Sequence, residues 1–286
     1  MIIDFHTHIF PPWMKDKRGK YVELDPLFRL LYSNPKAKLA TANDLIAMMD
    51  EQHIDLAVAL NIAWSTPELC RETNDYILEA ISKYPSRLAG FGMVSFDSPE
   101  KAIQEIERCA KSGIRGIGEI RPSPEMLQNL ELLRPVIQKI EDNNLILLTH
   151  ASEPVGHLFP GKGDITPERL YPFFNAFPGL KLVCAHWGGG LPFYAMMPEV
   201  EKSMENVYFD SAASPFLYGP QIYTQAVQLV GPEKVLFGSD YPLLSPLRLL
   251  NDIEKQNLPL EAKNAFLAGN AQKLLGIFKT KCYQAV

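Results

Sequence analysis

Hydrophobic and polar positions along this chain follow two alternating patterns. Short, nearly unbroken apolar runs rich in β-branched residues are each followed by a longer stretch with apolar residues at three- and four-residue spacing. The first kind predicts strands buried on both faces, and the second predicts amphipathic helices packed on them. The pair recurs eight times. Strands are predicted over 2–8, 56–62, 88–94, 114–120, 145–150, 181–187, 207–210 and 235–238. Helices are predicted over about 41–52, 67–84, 98–112, 125–142, 166–177, 192–202, 221–230, 247–255 and 260–275. Pro99 and Glu100 after Ser98 mark one helix start, and Gly113 marks its end.

Strands alternating with helices predict a parallel sheet covered by helices, and eight repeats predict closure into a (β/α)8 TIM barrel. A doubly wound open sheet is the rival. No G-x-G-x-x-G follows the first strand, which weakens its dinucleotide-binding form. No linker composition divides the chain, so residues 1–286 read as a single domain. A long segment over about 9–40 separates the first strand from the first long helix. It carries Pro11, Pro12, Trp13, Tyr21, Phe28 and Tyr32. Loops of that length are usually functional, and this one is expected over the active face.

Composition narrows the function. A formal net charge of −5 argues against a nucleic-acid partner, which favours a basic face. No run approaches the roughly 20 apolar residues of a membrane span, and the first residues lack the pattern of a signal peptide. Cys70, Cys109, Cys184 and Cys282 are scattered and form no C-x-x-C pair, so a reducing, cytoplasmic setting is expected.

The chemistry gathers at the strand ends. The first strand ends in His6-Thr7-His8, the fourth at Glu119, the fifth at His150, the sixth at His186 and the eighth at Asp240. In a parallel barrel these ends share the face where active sites are built. Side chains along a strand repeat every two residues, so His6 and His8 point the same way and can share one cation. His150 can close a three-nitrogen site and Asp240 can add an oxygen. Such a set suits Zn2+, with Fe2+ or Mn2+ also compatible. An H-x-H pair alone is a weak signal, and a lone strand-end histidine is more often a satisfied core group. The whole set at the correct strand ends points to a divalent metal site.

With these residues in place, the sequence resembles the amidohydrolase superfamily, in its amidohydrolase-related branch. The matching motifs are Asp4-Phe5-His6-Thr7-His8, Thr149-His150, Ala185-His186-Trp187-Gly188-Gly189 and Phe237-Gly238-Ser239-Asp240-Tyr241-Pro242. The resemblance implies a TIM-like barrel with one or two divalent metals, usually zinc. It implies that His6, His8, His150 and Asp240 are metal ligands. It gives His186 the place of a general base or second-metal ligand, and gives Asp240 the proton of an attacking water. Many two-metal relatives carry a lysine at the end of the fourth strand, where this chain reads Gly116-Ile117-Gly118-Glu119-Ile120. Glu119 resembles the strand-four metal ligand of other relatives, including TatD-like deoxyribonucleases. A bridging ligand and a substrate contact are both open to it. Relatives are often dimers, which makes a homodimer the expected assembly.

Other residues carry weaker signals. Asp4 is placed on the same strand face as His6 and His8, where it can orient a ligand histidine. Arg121 is a candidate anchor for a substrate carboxylate. His157, Trp187, Trp13, Tyr21 and Tyr194 are candidates to line a pocket, with ordinary packing as the alternative. His53 falls on the opposite face with a structural role. The favoured function is a metal-dependent hydrolase that turns a metal-activated water on an amide, ester or lactone of a small molecule. The alternative is a metal-dependent decarboxylase of an unsaturated or aromatic carboxylic acid, which an arginine gripping the retained carboxylate would favour. A nuclease and a non-catalytic metal-binding protein are the remaining readings.

Overall fold

The computed structural model describes residues 1–277. Among these residues eight strands form one sheet in chain order, each parallel to the next. They are β1 (Ile3–His8), β2 (Leu56–Leu60), β3 (Leu88–Gly92), β4 (Gly116–Ile120), β5 (Ile146–Thr149), β6 (Leu182–Cys184), β7 (Val207–Asp210) and β8 (Val235–Leu236). The sheet closes where β1 meets the segment after β8. Phe5 N donates to Phe237 O at 2.7 Å, Asp240 N to His6 O at 2.9 Å and His8 N to Tyr241 O at 2.7 Å. The architecture is therefore a (β/α)8 TIM barrel, and the open-sheet rival is excluded.

The unbroken apolar runs have the expected cause, because β1 to β6 are buried at every residue. Leu56, Val58 and Leu60 join Phe5 and Phe91 in one cluster, in which the two rings meet edge-on at 5.7 Å. The alternate residues Ala57 and Ala59 join the larger cluster shared with the helices.

Two register shifts set up the site. Asp4 pairs with Ala57 and Thr7 with Ala59, so β1 takes three steps while β2 takes two. Ile117 pairs with Leu147 and Ile120 with Thr149, which repeats the irregularity in β4. An extra residue bends a strand and re-aims the side chains beside it. Paired residues share a face, so Asp4 lies with Thr7 on the helix side and not with His6 and His8 as the two-residue repeat predicts. In β4 the shift contains Gly118, at φ +150, where an added Cβ would stand 2.4 Å from Leu148 O. Only glycine passes there, and Glu119 follows it.

Several elements depart from the sequence pattern. The predicted strand over 181–187 stops at Cys184 because the chain turns left-handed at His186 (φ 55), Trp187 (φ 58), Gly188 (φ 57) and Gly189 (φ 62). The predicted helix over 125–142 is broken into Pro124–Gln128, Leu130–Leu132 and Arg134–Asp142. Pro135 sits in the first turn of the last piece, where its missing N–H has no partner to lose. Pro198 restarts the helix predicted over 192–202 in the same way. The 260–275 helix contains a wide π turn at Ala265–Gly269.

The long segment after β1 is folded into three short helices, Pro12–Asp16, Arg18–Leu24 and Pro26–Tyr32. Met14, Tyr21 and Phe28 bury its underside. Two acids fasten it. Asp25, fully buried, accepts from Phe28 N at 2.8 Å and from Ser65 N and Oγ at 2.9 and 2.8 Å. Glu72, on the helix Pro67–Lys83, accepts from Trp13 Nε1 and Tyr21 Oη, each at 2.7 Å.

Candidate metal centre

The ends of β1, β4, β5, β6 and β8 bring His6, His8, Glu119, His150, His186 and Asp240 together. One ligand atom each from His6, His8 and Glu119 lie within 4.8 Å of one another, as do atoms from Glu119, His150 and His186. Glu119 belongs to both groups. Asp240 Oδ1 lies 3.4 Å from His8 Nε2 and 3.8 Å from His6 Nε2. The cluster is almost shut off from solvent, with His6 at 0% exposure and His150 at 3%. Two carboxylates at such depth call for positive charge, and imidazole nitrogens with carboxylate oxygens make a set that divalent cations favour.

The surrounding bonds orient each ring. His6 Nδ1 donates to Asp210 Oδ2 at 2.8 Å, which leaves its Nε2 facing His8 Nε2 at 3.1 Å. A carboxylate behind an imidazole fixes its tautomer in this manner. The other Asp210 oxygen accepts the backbone N–H of His186 and of Ala212, both at 3.0 Å. One buried acid thus ties the ends of β1, β6 and β7. His186 Nδ1 donates to Ala212 O at 3.2 Å, and its Nε2 faces Glu119 Oε1 at 3.4 Å. His150 Nδ1 lies 2.7 Å from Glu119 Oε1 and 3.0 Å from Arg121 Nη2, while its Nε2 meets Ser152 Oγ at 3.0 Å. Asp4 touches no imidazole. It accepts from His6 N, Ser239 N and Ser239 Oγ, and so holds the loop that presents Asp240.

Burial opposes charge on every group here, and the neighbours decide the outcome. Burial pushes the His6 pKa down, but the Asp210 carboxylate outweighs it and raises the value to about 10. Burial and then the Arg121 guanidinium push His150 down to about 3. Against burial, His150 and His186 hold Glu119 well below the usual carboxylate range. Against burial, the His8 hydrogen bond and the charge of His6 also hold Asp240 below it.

A cavity of about 340 Å³ opens above the cluster, large enough for a small molecule. His8, Glu119, His150, His186 and Asp240 form its polar floor. Leu31, Ile62, Phe159, Phe216, Leu217 and Leu243 give it apolar walls. Arg121 and His157 also line it. Arg121 Nη1 donates to Gly161 O at 2.7 Å, which holds the guanidinium between His150 and the loop after β5.

Four aromatic candidates lie off this wall. The left-handed turn that aims His186 at the cavity sends Trp187 into the core, at 0% exposure. There its Nε1 donates to Ser214 Oγ at 2.7 Å and its ring packs on Tyr223 and Phe266. Tyr21 and Trp13 are bound to Glu72, and Tyr194 lines a separate groove with Met197. His53 is exposed at the turn before β2, at the far end of the strands. Asp210 and Tyr32 were not singled out from sequence as site residues. Asp210 carried a readable signal, since it is a buried acid at the end of a barrel strand, as Asp240 is beyond β8.

A buried imidazole–carboxylate cluster at the mouth of a parallel barrel defines a metal-dependent enzyme. The chain belongs to the amidohydrolase family, whose model matches residues 3–277. It is 24% identical to the 2-amino-3-carboxymuconate-6-semialdehyde decarboxylase of Dictyostelium discoideum, over 98% of this chain and 92% of that protein. It is 23% identical to the gamma-resorcylate decarboxylase of a Polaromonas species, over 80% and 85% of the two chains. A 5-carboxyvanillate decarboxylase from Novosphingobium aromaticivorans, solved with manganese and 4-hydroxy-3-methoxy-5-nitrobenzoic acid, shares the fold. Its TM-score is 0.77, with 19% identity over 97% of this chain and 96% of that one. These relatives overturn the expected hydrolysis of an amide, ester or lactone, because proteins similar along most of the chain release carbon dioxide instead. No described helix is long and apolar enough to cross a membrane.

Proposed function

We propose that this enzyme is a metal-dependent decarboxylase of a flat, unsaturated or aromatic carboxylic acid. The observation that carries the reading is Arg121, a fixed cation beside His150 on the wall of an apolar cavity whose floor is the metal cluster. The apolar walls suit a planar carbon skeleton, and the guanidinium suits a carboxylate that the product keeps. His6, His8, His150 and Asp240 are the residues we assign to the metal. Glu119 is assigned to His186 and the substrate side. A bound divalent cation supplies positive charge that orients the substrate's oxygens and stabilises negative charge developing in its carbon skeleton.

The chain's own groups do the rest. Arg121 binds and orients the acid. The apolar walls exclude water from the face where the carbon–carbon bond breaks. The bond's electron pair stays on the ring or alkene carbon as carbon dioxide leaves, and that carbon then takes a proton. His186 is placed to deliver it. Its Nδ1 hydrogen is engaged by Ala212 O, so the second proton, carried when the ring is charged, sits on Nε2. Burial lowers its pKa, but the Glu119 carboxylate reverses this and raises it.

Zinc, one ion per chain, is the finer assignment. Manganese in the similar solved decarboxylase makes it the second metal to test. A cytoplasmic setting is supported by Cys70, Cys109 and Cys184, which are buried free thiols, while Cys282 lies outside the described residues. Exposed Phe193, Met196 and Met197 support a homodimer, which sedimentation would measure.

The test is carbon dioxide release by zinc- or manganese-loaded protein from a panel of hydroxybenzoates and unsaturated dicarboxylic acids. Release that stops on chelation is expected. Hydrolysis of amides or lactones, with no carbon dioxide from any acid, would overturn the proposal.

A further inference from the structure

The end of the barrel opposite the metal cluster carries a second, basic pocket. There the helix Asn270–Leu275 packs Ala271 and Leu275 against the cluster inside the barrel. Asn270 Nδ2 donates to Pro232 O and Val235 O, each at 2.7 Å, and so ties the helix to the start of β8. A cavity of about 200 Å³ remains between this helix and the starts of β6, β7 and β8. Lys181, Lys234 and Lys273 line it, with Tyr208, Asn270 and Glu233. Tyr208 pairs with Val183, and Lys181 lies two residues before Val183, so the Lys181 and Tyr208 side chains share one face of the sheet.

These lysines differ from others in the chain. Lys15, Lys101, Lys139, Lys255 and Lys263 each pair with a carboxylate. Among the described residues none of the three around this cavity does so within 4.0 Å, and 278–286 contain no aspartate or glutamate. Lys181 Nζ donates to Asn144 Oδ1 at 2.6 Å. Lys234 Nζ donates to Glu205 O and stands 5.0 Å from the centre of the Tyr208 ring. Those partners are neutral groups and leave the positive charge uncompensated. Glu233, the acid on the wall, is folded back over its own chain, where an added Cβ at Gly231 would stand 2.6 Å from its Oε1.

A concave surface lined by like charges concentrates their field and draws a counter-ion. The cations here are all lysines, whose ammonium groups hold phosphate as point charges and can meet several of its oxygens from different sides. The flat pair of oxygens on a carboxylate serves fewer of them. We propose that this pocket binds a phosphate dianion, free or as the head of a small ester. The bound anion bridges the helix Asn270–Leu275 to the starts of β6 and β8 and so stabilises the lower end of the barrel.

The experiment titrates the metal-loaded protein with inorganic phosphate and with glycerol 3-phosphate by calorimetry, in about 0.15 M sodium chloride, and follows Tm in parallel. A Kd below about 1 mM is expected, with a rise in Tm. Lys234→Met and Lys273→Met are each expected to weaken binding at least about fivefold and to shrink the rise in Tm. Arg121→Gln, in the other cavity, is expected to bind as the wild type does. Either probe binding in this lysine-dependent way supports the site, and the tighter of the two names its source. No binding up to about 10 mM, binding indifferent to both lysines, binding lost with Arg121→Gln, or an equal rise in Tm from sodium chloride at matched ionic strength overturns the proposal. Should Lys234→Met fail to fold, the exposed Lys273→Met decides alone.

Discussion

His6 and His150 are both buried, each belongs to a ligand group with Glu119, and they are tuned in opposite directions. Burial depresses both. At His6 the Asp210 carboxylate reverses that effect, so the ring attracts a proton. At His150 the Arg121 guanidinium adds to it, so the ring stays neutral. The difference shows that depth alone does not prepare an imidazole for a metal. The β1 side must give up a proton to take a cation, whereas the β5 side is held neutral, partly through the residue assigned to the substrate.

The largest test of this contrast removes one side at a time. His6→Ala and His150→Ala are each expected to empty the site and cut turnover by at least about a thousandfold, read by metal analysis and carbon dioxide release. Glu119→Gln is expected to keep the metal and lose turnover. Metal retained in His150→Ala would mean that the two sides do not share one ion.

A smaller effect belongs to Arg121→Gln. Losing a charged hydrogen bond to substrate is expected to raise KM by about 10- to 100-fold at unchanged metal content. An unchanged KM would remove Arg121 from the substrate.

The smallest effect is a proton count. Near pH 8 the metal-free His6 lies below its raised pKa of about 10 and carries a proton that a ligand cannot keep. Metal uptake should therefore release about one proton, and affinity should tighten as pH rises until that pKa is passed. Calorimetry in buffers of different ionisation enthalpy measures the count. Asp210→Asn, which removes the leading of the carboxylates that raise this pKa, should lower the count.

The sequence disclosed the barrel because strands buried on both faces write themselves as apolar runs. It disclosed the cluster because polar residues at the ends of such runs stand out. It did not disclose the geometry between them. The extra residues in β1 and β4 leave no trace in hydrophobic periodicity, which is why Asp4 was expected on the wrong face. The glycines at 188–190 hinted at a tight passage, yet the left-handed turn begins two residues earlier and carries Trp187 away from the cavity. Asp210 ends β7 with two neighbours' bonds to hold, a task visible only once β1, β6 and β7 are side by side.

The anchoring of the segment after β1 has a consequence for how this enzyme can diversify. Asp25 and Glu72 rivet that segment, with Tyr32 at its end, to neighbouring parts of the scaffold. The facing wall comes from a different stretch of chain, which supplies His157 and Phe159 and leaves Val155 and Leu158 exposed. The two meet at Gly161, where an added Cβ would stand 2.7 Å from Leu31 and whose carbonyl holds Arg121. Substitutions or insertions near 154–160 that leave Gly161 in place can reshape what fits in the cavity. A lineage, or a designer, could move among related acids without rebuilding the floor.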